Sequence, residues 1–513
     1  MSDSKFIALL PLDNRPVSYL LPKQIADFSG LNLILPERKY LGDLKQGSNL
    51  TYLQEWINKL TNVDSLVIAL DNWVYGGLVQ SRKHDFSLDE LKSRVGLLTD
   101  VCRDWSRRSL CERASPQLRL ASSEASASWA EPVPTKIYGF SSIMRIPNYN
   151  SNEEEKDYWK DYGEKIFQWS ELMHKVGRGI KETLSNEELI EKWYQSAKAL
   201  PIEVLTDFKS HMEKNFSINV MWLESLHNDC FQYLIFSCDD SGKYGMNVIE
   251  ADYIKDQINK HRFSHFTKVI SGTDEIPLVL LTKAVLDKSK FIPSIALHFN
   301  SEIGKDEISR YESNTINKSI LNQVDTLGLE IKDVEKSDLI LCIHCADSIQ
   351  GDHIFKNTPS DTKGNAKKLV HVLDKTNKPF ILLDFAYANG ADPILIEELL
   401  NANINWKNCY GYSAWNTTSN STGCALSIGI NRWLSEKENR FNEREFKKCL
   451  LTRFLDDYAY QTQIRHTNTT EEEINEKIKT FIQAFSKLLH LHDINVRCSL
   501  PWKRSFEVEI DIS

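Results

Sequence analysis

Phe231-Gln-Tyr-Leu-Ile-Phe-Ser-Cys238 is an apolar run, and Asp239-Asp240-Ser241-Gly242-Lys243-Tyr244-Gly245 follows it at once. The run reads as a buried strand that ends in two carboxylates and then turns. In α/β proteins, ligands bind at the carboxyl ends of parallel strands. Two adjacent acids there cost free energy, because like charges close together resist double ionisation. Such a pair allows one acid to stay protonated as a proton donor while the other stays charged. The plainer alternative is a turn whose Asp caps the next helix.

Working outward, other strand-length apolar runs end in the same way. Phe6–Leu12 leads to Asp13 and Arg15, and Ser65–Leu70 leads to Asp71, Tyr75-Gly76-Gly77 and Arg82. Ile137–Phe140 leads to Ser141, Ser142 and Arg145, and Phe266–Ile270 leads to Gly272, Asp274 and Glu275. Phe380–Leu383 leads to Asp384, Asn389-Gly390 and Asp392, and Tyr410–Ala414 leads to Trp415, Asn416 and Asn420. A purely structural chain can close its strand ends with any turn residue. The repetition therefore points to a polar site at one rim of a parallel sheet.

The chain has 513 residues. Single cores stop growing at about 250–300 residues, so two or more domains are expected. Apolar runs alternate with longer helix-period stretches, the signature of βα units and parallel sheets. Strands are expected near 6–12, 31–35, 65–71, 137–143, 233–238, 266–271, 294–299, 338–344, 380–384 and 409–413. Ten strands are too many for one eight-stranded barrel, so the fold class is α/β in two units. Residues 1–290 form a catalytic unit, doubly wound or TIM-barrel-like, with a helical insert at 151–215. Residues 291–513 form a second, Rossmann-like α/β unit with a helical, charged tail from about 440 to 497. A short alternating strand, Phe506–Ile512, ends the chain. Ser109–Pro134 is poor in apolar residues and reads as a loop.

A net charge of −9 argues against nucleic acid or anionic membrane as the main partner. No apolar stretch approaches the ~20 residues of a membrane span. Met1-Ser-Asp-Ser-Lys5 leads straight into the first strand, without the regions of a signal peptide, so a cytoplasmic protein is expected. The ten cysteines are scattered and read as buried reduced thiols. Cys342-Ile-His344-Cys345 sits inside a strand whose alternate residues face opposite sides, and it has no second half for a zinc site. Oligomeric state is not legible.

Asp13 with Arg15 is a local salt bridge or a ligand clamp, since Arg presents a fixed fork of donors. Gly76-Gly77 near Asp71 and Arg82 allows close backbone approach, but matches no phosphate or dinucleotide fingerprint. Asp274 and Glu275 are a helix cap with an acid in its first turn, or two more acids of the site. Asp384, Asn389, Asn416, Asn420 and Trp415 supply acids, amides and a flat apolar face, which is what a sugar ring needs. No G-x-S-x-G elbow supports serine hydrolysis. The alternative is a Mg or Mn ion held by Asp239, Asp274 and Asp384, because hard cations take oxygen ligands.

Pro11-Leu-Asp-Asn-Arg-Pro16, Asp71 to Tyr75-Gly-Gly-Leu78 with Ser81-Arg82, Asp239-Asp240, Gly272-Thr-Asp-Glu275, Asp384 to Asn389-Gly390, Trp415-Asn-Thr417 with Asn420 and Gly423, and Leu500-Pro-Trp502 occur in that order. The series resembles a bacterial family catalogued as domain of unknown function 4127, over nearly the whole chain. That family name carries no activity. The strand ending Phe-x-x-Asp-Asp is also similar to the catalytic strand of O-GlcNAcase-like hexosaminidases. That likeness implies that Asp239 orients the substrate's acetamido group while Asp240 protonates the leaving oxygen. It requires the strand to have ended by Asp239, since neighbouring residues in a strand point oppositely.

The expected function is a glycoside hydrolase acting on a small carbohydrate, with N-acetylhexosamine as the first substrate and no cofactor. Asp239 and Asp240 are the catalytic candidates. Asp13, Arg15, Asp71, Tyr75, Arg82, Arg145, Asp274, Glu275, Asp384, Asn389, Trp415, Asn416 and Asn420 are the binding candidates. A metal-dependent hydrolase or lyase and a non-catalytic sugar binder are the alternatives.

Overall fold

The computed structural model describes residues 6–114, 135–180, 182, 184–467 and 470–513. Its first sheet is built from β1 (Phe6–Leu10), β2 (Leu33–Ile34), β3 (Val63–Ala69), β4 (Lys136–Ile143), β5 (Tyr233–Cys238) and β6 (Thr267–Ser271). Next come β7 (Ser294–Phe299), β8 (Glu330–Ile331), β9 (Leu339–His344), β10 (Gly351–Asp352), β11 (Phe380–Asp384), β12 (Tyr387–Ala388) and β13 (Cys409–Ser413). The hairpin β14 (Val496–Ser499) and β15 (Glu509–Ile512) closes the chain. All ten expected sheet strands form, and the expected terminal strand forms over its last residues. The loop expected at Ser109–Pro134 begins inside the last turns of the helix Leu88–Ala114 and otherwise lies outside the described residues.

The first sheet has the order β2-β1-β3-β4-β5-β6 and the second the order β13-β11-β9-β7-β8. Every pairing within them is parallel. In each sheet the second strand lies outside the first, and the remaining strands continue on the other side. This is doubly wound topology, with a switch point beside the first strand. The first sheet is open, with β2 and β6 as its edges. The barrel-like alternative for the first unit is therefore replaced by the doubly wound one.

Both faces of such a sheet must be covered, so its strands read as continuous apolar runs. Between the two sheets lie the helices Ile276–Leu286 and Thr418–Lys437. The first is buried at nearly every position and the second over most of its length, as expected of helices apolar or small all round. One apolar core runs through both sheets: Leu9, Val67, Phe140 and Ile235 from the first, Leu280 and Leu281 from the central helix, and Ile295, Leu341 and Ile381 from the second. The units also exchange arms. Phe28, on the helix Leu21–Ser29 of the first unit, meets Phe446 of the tail edge-on at 5.4 Å. The tail returns to the first unit through Arg38, which donates to Glu509. Among the described residues, no helix is long and apolar enough to cross a membrane.

Gly423 lets the central helices close on one another. A Cβ there would stand 2.3 Å from Glu275 Cγ and 3.0 Å from Val279 Cγ2. Both are near-backbone atoms in a packed layer and have little room to give. Gly423→Ala should therefore cost about 1–3 kcal/mol despite the helix propensity gained, measured as a lowered urea midpoint. An unchanged or raised midpoint contradicts this packing.

Candidate functional site

β5 ends at Cys238, so the strand has stopped before the acid pair. Asp240 then takes a left-handed backbone with φ 34°, a conformation that Asp tolerates better than most residues with a Cβ. The turn lets both carboxylates reach the same rim. Arg82 Nη2 donates to Asp239 Oδ2, and Arg145 Nη1 donates to Asp240 Oδ2 at 2.6 Å. Arg82 comes from the β3 end and Arg145 from the β4 end, so three adjacent strand ends meet here.

The two guanidinium groups share further acids. Arg82 Nη1 donates to Glu154 Oε2 at 2.7 Å. Arg145 donates to Glu155 Oε1 at 2.9 Å, and to Glu154 Oε2 and Tyr149 Oη at 2.8 Å each. A third arginine, Arg504 of the tail, donates to Glu154 Oε1. Burial pushes the Glu154 carboxyl up, but Arg145, Arg82 and Arg504 together hold it well below the usual range. Asp240 behaves oppositely. Enclosure and the neighbouring charge of Asp239 outweigh Arg145 and Arg82, and its carboxyl is raised to about 7. Even so, 31% of the Asp240 side chain is accessible, against 16% for Asp239. Asp240 is thus a partly accessible carboxyl whose pKa is raised.

Asp71 lies deeper. Its Oδ2 accepts from Ser142 N and Oγ at 2.9 Å each. Burial outweighs those bonds and raises its carboxyl to about 7. Arg15 forms a closed ionic knot rather than an open clamp. It donates to Asp13 Oδ2 at 2.8 Å, to both oxygens of Asp274, and to Glu507 Oε1 at 3.1 Å. Those carboxylates outweigh burial and raise the Arg15 pKa further. Burial lifts Asp274 above its ordinary range in spite of Arg15.

Several candidates do not join this group. Glu275 is turned under the central helices, accepting from Gln323 Nε2 at 2.9 Å and Thr273 N at 3.0 Å. Tyr75 stacks on His84 at 4.9 Å and lines a pocket with Lys45, Lys83 and Phe86 that contains neither acid of the pair. Trp415 is 3% exposed and belongs to the apolar core of the tail, so it offers no face to a sugar. Asp384 accepts from the amides of Ala386 and Asp392, because its strand end is closed by the segment up to Asp392. Beside it His344 lies 2.9 Å from Asp392 and 2.8 Å from Asn300 Nδ2. Asn420 is buried in the first turn of its helix.

The second unit approaches the acid pair through Tyr311 instead. Its hydroxyl donates to Asp352 Oδ2 at 2.7 Å, to which Asn389 Nδ2 also donates at 3.2 Å. Asn389 N donates to Asn416 O at 2.8 Å. The charge of Asp240 acts on the Tyr311 hydroxyl, whose pKa is raised chiefly by burial. Tyr311, Asn389, Asn416 and Trp502 all have left-handed backbones, with φ between 58° and 63°. Among the described residues, no three His, Cys, Asp or Glu side chains are placed to hold one metal ion. The ligand set Asp239, Asp274 and Asp384 is not assembled, because Asp384 is spent on backbone amides.

Tyr149, Glu154, Glu155, Tyr311, Trp502, Arg504 and Glu507 were not candidates from sequence. Glu154 and Glu155 fall inside the expected helical insert, and the tail residues lie far along the chain. A second doublet, Asp456-Asp457, lies in the expected helical tail and follows no strand-like run. Asp457 accepts from Ser413 Oγ and Ala414 N, pairs with Arg453, and is raised to about 7 mainly by burial.

The raised carboxyls fix the sign of a pH effect. Asp71, Asp240, Asp457 and Glu507 hold protons up to about 7 in the folded chain, but only to about 4 when unfolded. At these four groups the folded state binds more protons between those values, so their contribution to stability falls as pH rises from about 4 to about 7 and then levels. Buried His84 and His211, which burial lowers to about 3 and about 4, contribute with the opposite sign as the unfolded imidazoles titrate. The test is therefore a difference: the stability of wild type minus that of Asp71→Asn should be larger at pH 5.5 than at pH 8. A difference that stays flat or grows with pH contradicts the assignment of Asp71.

No curated protein and no solved structure matches the chain. A family model does: it is described as a protein of unknown function (DUF4127) and matches residues 7–511. The chain, with its ordered series of strand-end phrases and the site they build, belongs to the DUF4127 family.

Proposed function

We propose that the chain is a cytoplasmic glycoside hydrolase acting on a small glycan, with Asp240 as its general acid and N-acetylhexosamine as the first substrate to try. The single observation that supports it most is Asp240 itself, a reachable carboxyl at a strand end whose pKa is raised to about 7. Departure of a glycosidic oxygen needs an acid still protonated near neutral pH. The paired arginines hold the two acids in different environments, which is how two carboxylates take two roles.

Asp239 is held through Oδ2 by Arg82, which leaves Oδ1 to accept an acetamido N–H. The acetamido oxygen then attacks the anomeric carbon. The bond to the leaving oxygen breaks as Asp240 delivers its proton. Water adds to the anomeric carbon, returning a proton to Asp240 and restoring the acetamido group. The nine cysteine thiols among the described residues, eight of them buried, suit a reducing compartment.

Asp240→Asn should lower aryl-glycoside hydrolysis by about 10²–10⁴-fold with an unchanged far-UV circular dichroism spectrum. Wild-type kcat/KM should fall as pH rises above about 7, as the acid loses its proton. Full activity in Asp240→Asn removes the proposal. Tight sugar binding by wild type with no turnover replaces it with a binding protein.

A further inference from the structure

The tail segment Trp502–Glu507 leaves three buried polar atoms without partners: Arg504 Nε, Arg504 Nη2 and Glu507 Oε2. The Arg504 side chain is 9% exposed. Its remaining nitrogen, Nη1, donates to Glu154. Nε and Nη2 share one edge of the guanidinium plane, and that edge is the fork that receives a carboxylate or phosphate side-on. Nε and Nη2 are covered from solvent and unpartnered, as is Glu507 Oε2, so this edge is a fork that an enclosed anion would satisfy.

The surroundings favour a negatively charged partner. The Arg504 guanidinium lies over Trp502 at 4.5 Å and over Phe506 at 5.2 Å. Arg465 lies over the same Phe506 ring at 4.8 Å. Arg465 Nη1 donates to Gln461 Oε1 at 2.9 Å. Among the described residues it has no ion-pair partner, and burial together with the repulsion of Arg504 lowers its pKa. Asp352 and Asp456 act on it only from a distance. Glu507 carries its proton to about 7, because burial outweighs Arg15 and Arg504, so its free oxygen is a donor too. Two cations therefore gather at one aromatic ring, and among the described residues Glu154 is the carboxylate bonded to them.

We propose that Arg504 and Arg465, flanking Phe506, form a subsite for an oxyanion group, so that the substrate is an acidic sugar bearing a carboxylate or a phosphate. The word sugar rests on the glycoside hydrolase reading; the oxyanion subsite does not. The fork of Arg504 takes two oxygens of the anion, the Glu507 carboxyl gives it a hydrogen bond, and Arg465 supplies the second positive charge.

Isothermal titration of the full chain with inorganic phosphate, glucuronate and glucose tests this. Either anion should bind at least tenfold more tightly than glucose, and which of the two binds better tells phosphate from carboxylate. Arg504→Gln should weaken the anion about 10- to 100-fold, the worth of charge-assisted hydrogen bonds. Arg504→Lys, which keeps the charge but not the fork, should recover only part. Arg465→Gln, a less buried change, should weaken it in the same direction if Arg504→Gln fails to fold. Failure of wild type to bind either anion, or equal binding by wild type and both glutamine variants, which is an adventitious ion only, overturns the proposal. Arginine-dependent anion binding without glycoside turnover sinks the hydrolase reading and leaves the subsite standing. Turnover of neutral glycosides that acidic ones neither match nor inhibit sinks the subsite alone.

Discussion

Removing an ion from water costs several kcal/mol even after relaxation, and only close pairing returns it. The carboxyl rim of the first sheet meets this constraint at four places. Arg15, Arg82, Arg145 and Arg504 are each buried or nearly so, and each is bonded to one or more carboxylates. Arg82 and Arg145 tie three neighbouring strand ends and the start of the helical insert into one piece. Arg15 and Arg504 bring in the tail. The far end of the chain is thus part of the rim, through Glu507 on Arg15 and Arg504 on Glu154. Burial sets the chemistry here: it raises Asp71, Asp240 and Glu507 to about 7, while Arg145, Arg82 and Arg504 together hold Glu154 well below the usual range.

Left-handed residues other than glycine recur through the chain, and four of them belong to the segments around the acid pair. Asp240 on the first unit and Tyr311, Asn389 and Asn416 on the second are all left-handed. None of them is glycine, so each spends free energy on a conformation the surrounding structure must enforce. The shared core beneath supplies that enforcement. The helices Ile276–Leu286 and Thr418–Lys437 lock the two sheets at a close contact that only Gly423 permits, and so fix how the second unit's loops stand over the acid pair.

Much of the fold was legible because parallel strands are buried on both faces and so read as unbroken apolar runs. The ten runs from Phe6 to Ser413 all became sheet strands. The two-residue strands β8, β10 and β12 carry no such pattern and could not be read. Open sheet against closed barrel was also beyond sequence, since the same βα units build either and tertiary packing decides. At the site, the sequence marked which strand ends are polar but not which way each side chain turns. Asp240 and Asp384 look alike as letters, yet one is accessible and the other caps its own loop. Trp415 looked like a sugar platform and is core, because the strand before it enters the apolar layer of the tail. Arg504 and Glu507 were invisible for another reason: they lie more than half the chain from Asp13 and Asp71, and no local pattern announces a long-range ion pair.

The account depends on Asp240 holding a proton near neutral pH. An isotope-edited infrared titration with carboxyl-labelled Asp measures this directly, by comparing wild type with Asp240→Asn. A protonated-carboxyl band that fades near pH 7 in wild type and is missing from the variant is the predicted result. If the variant and wild type lose the same band intensity across that range, Asp240 is already charged at neutral pH and cannot be the proton donor.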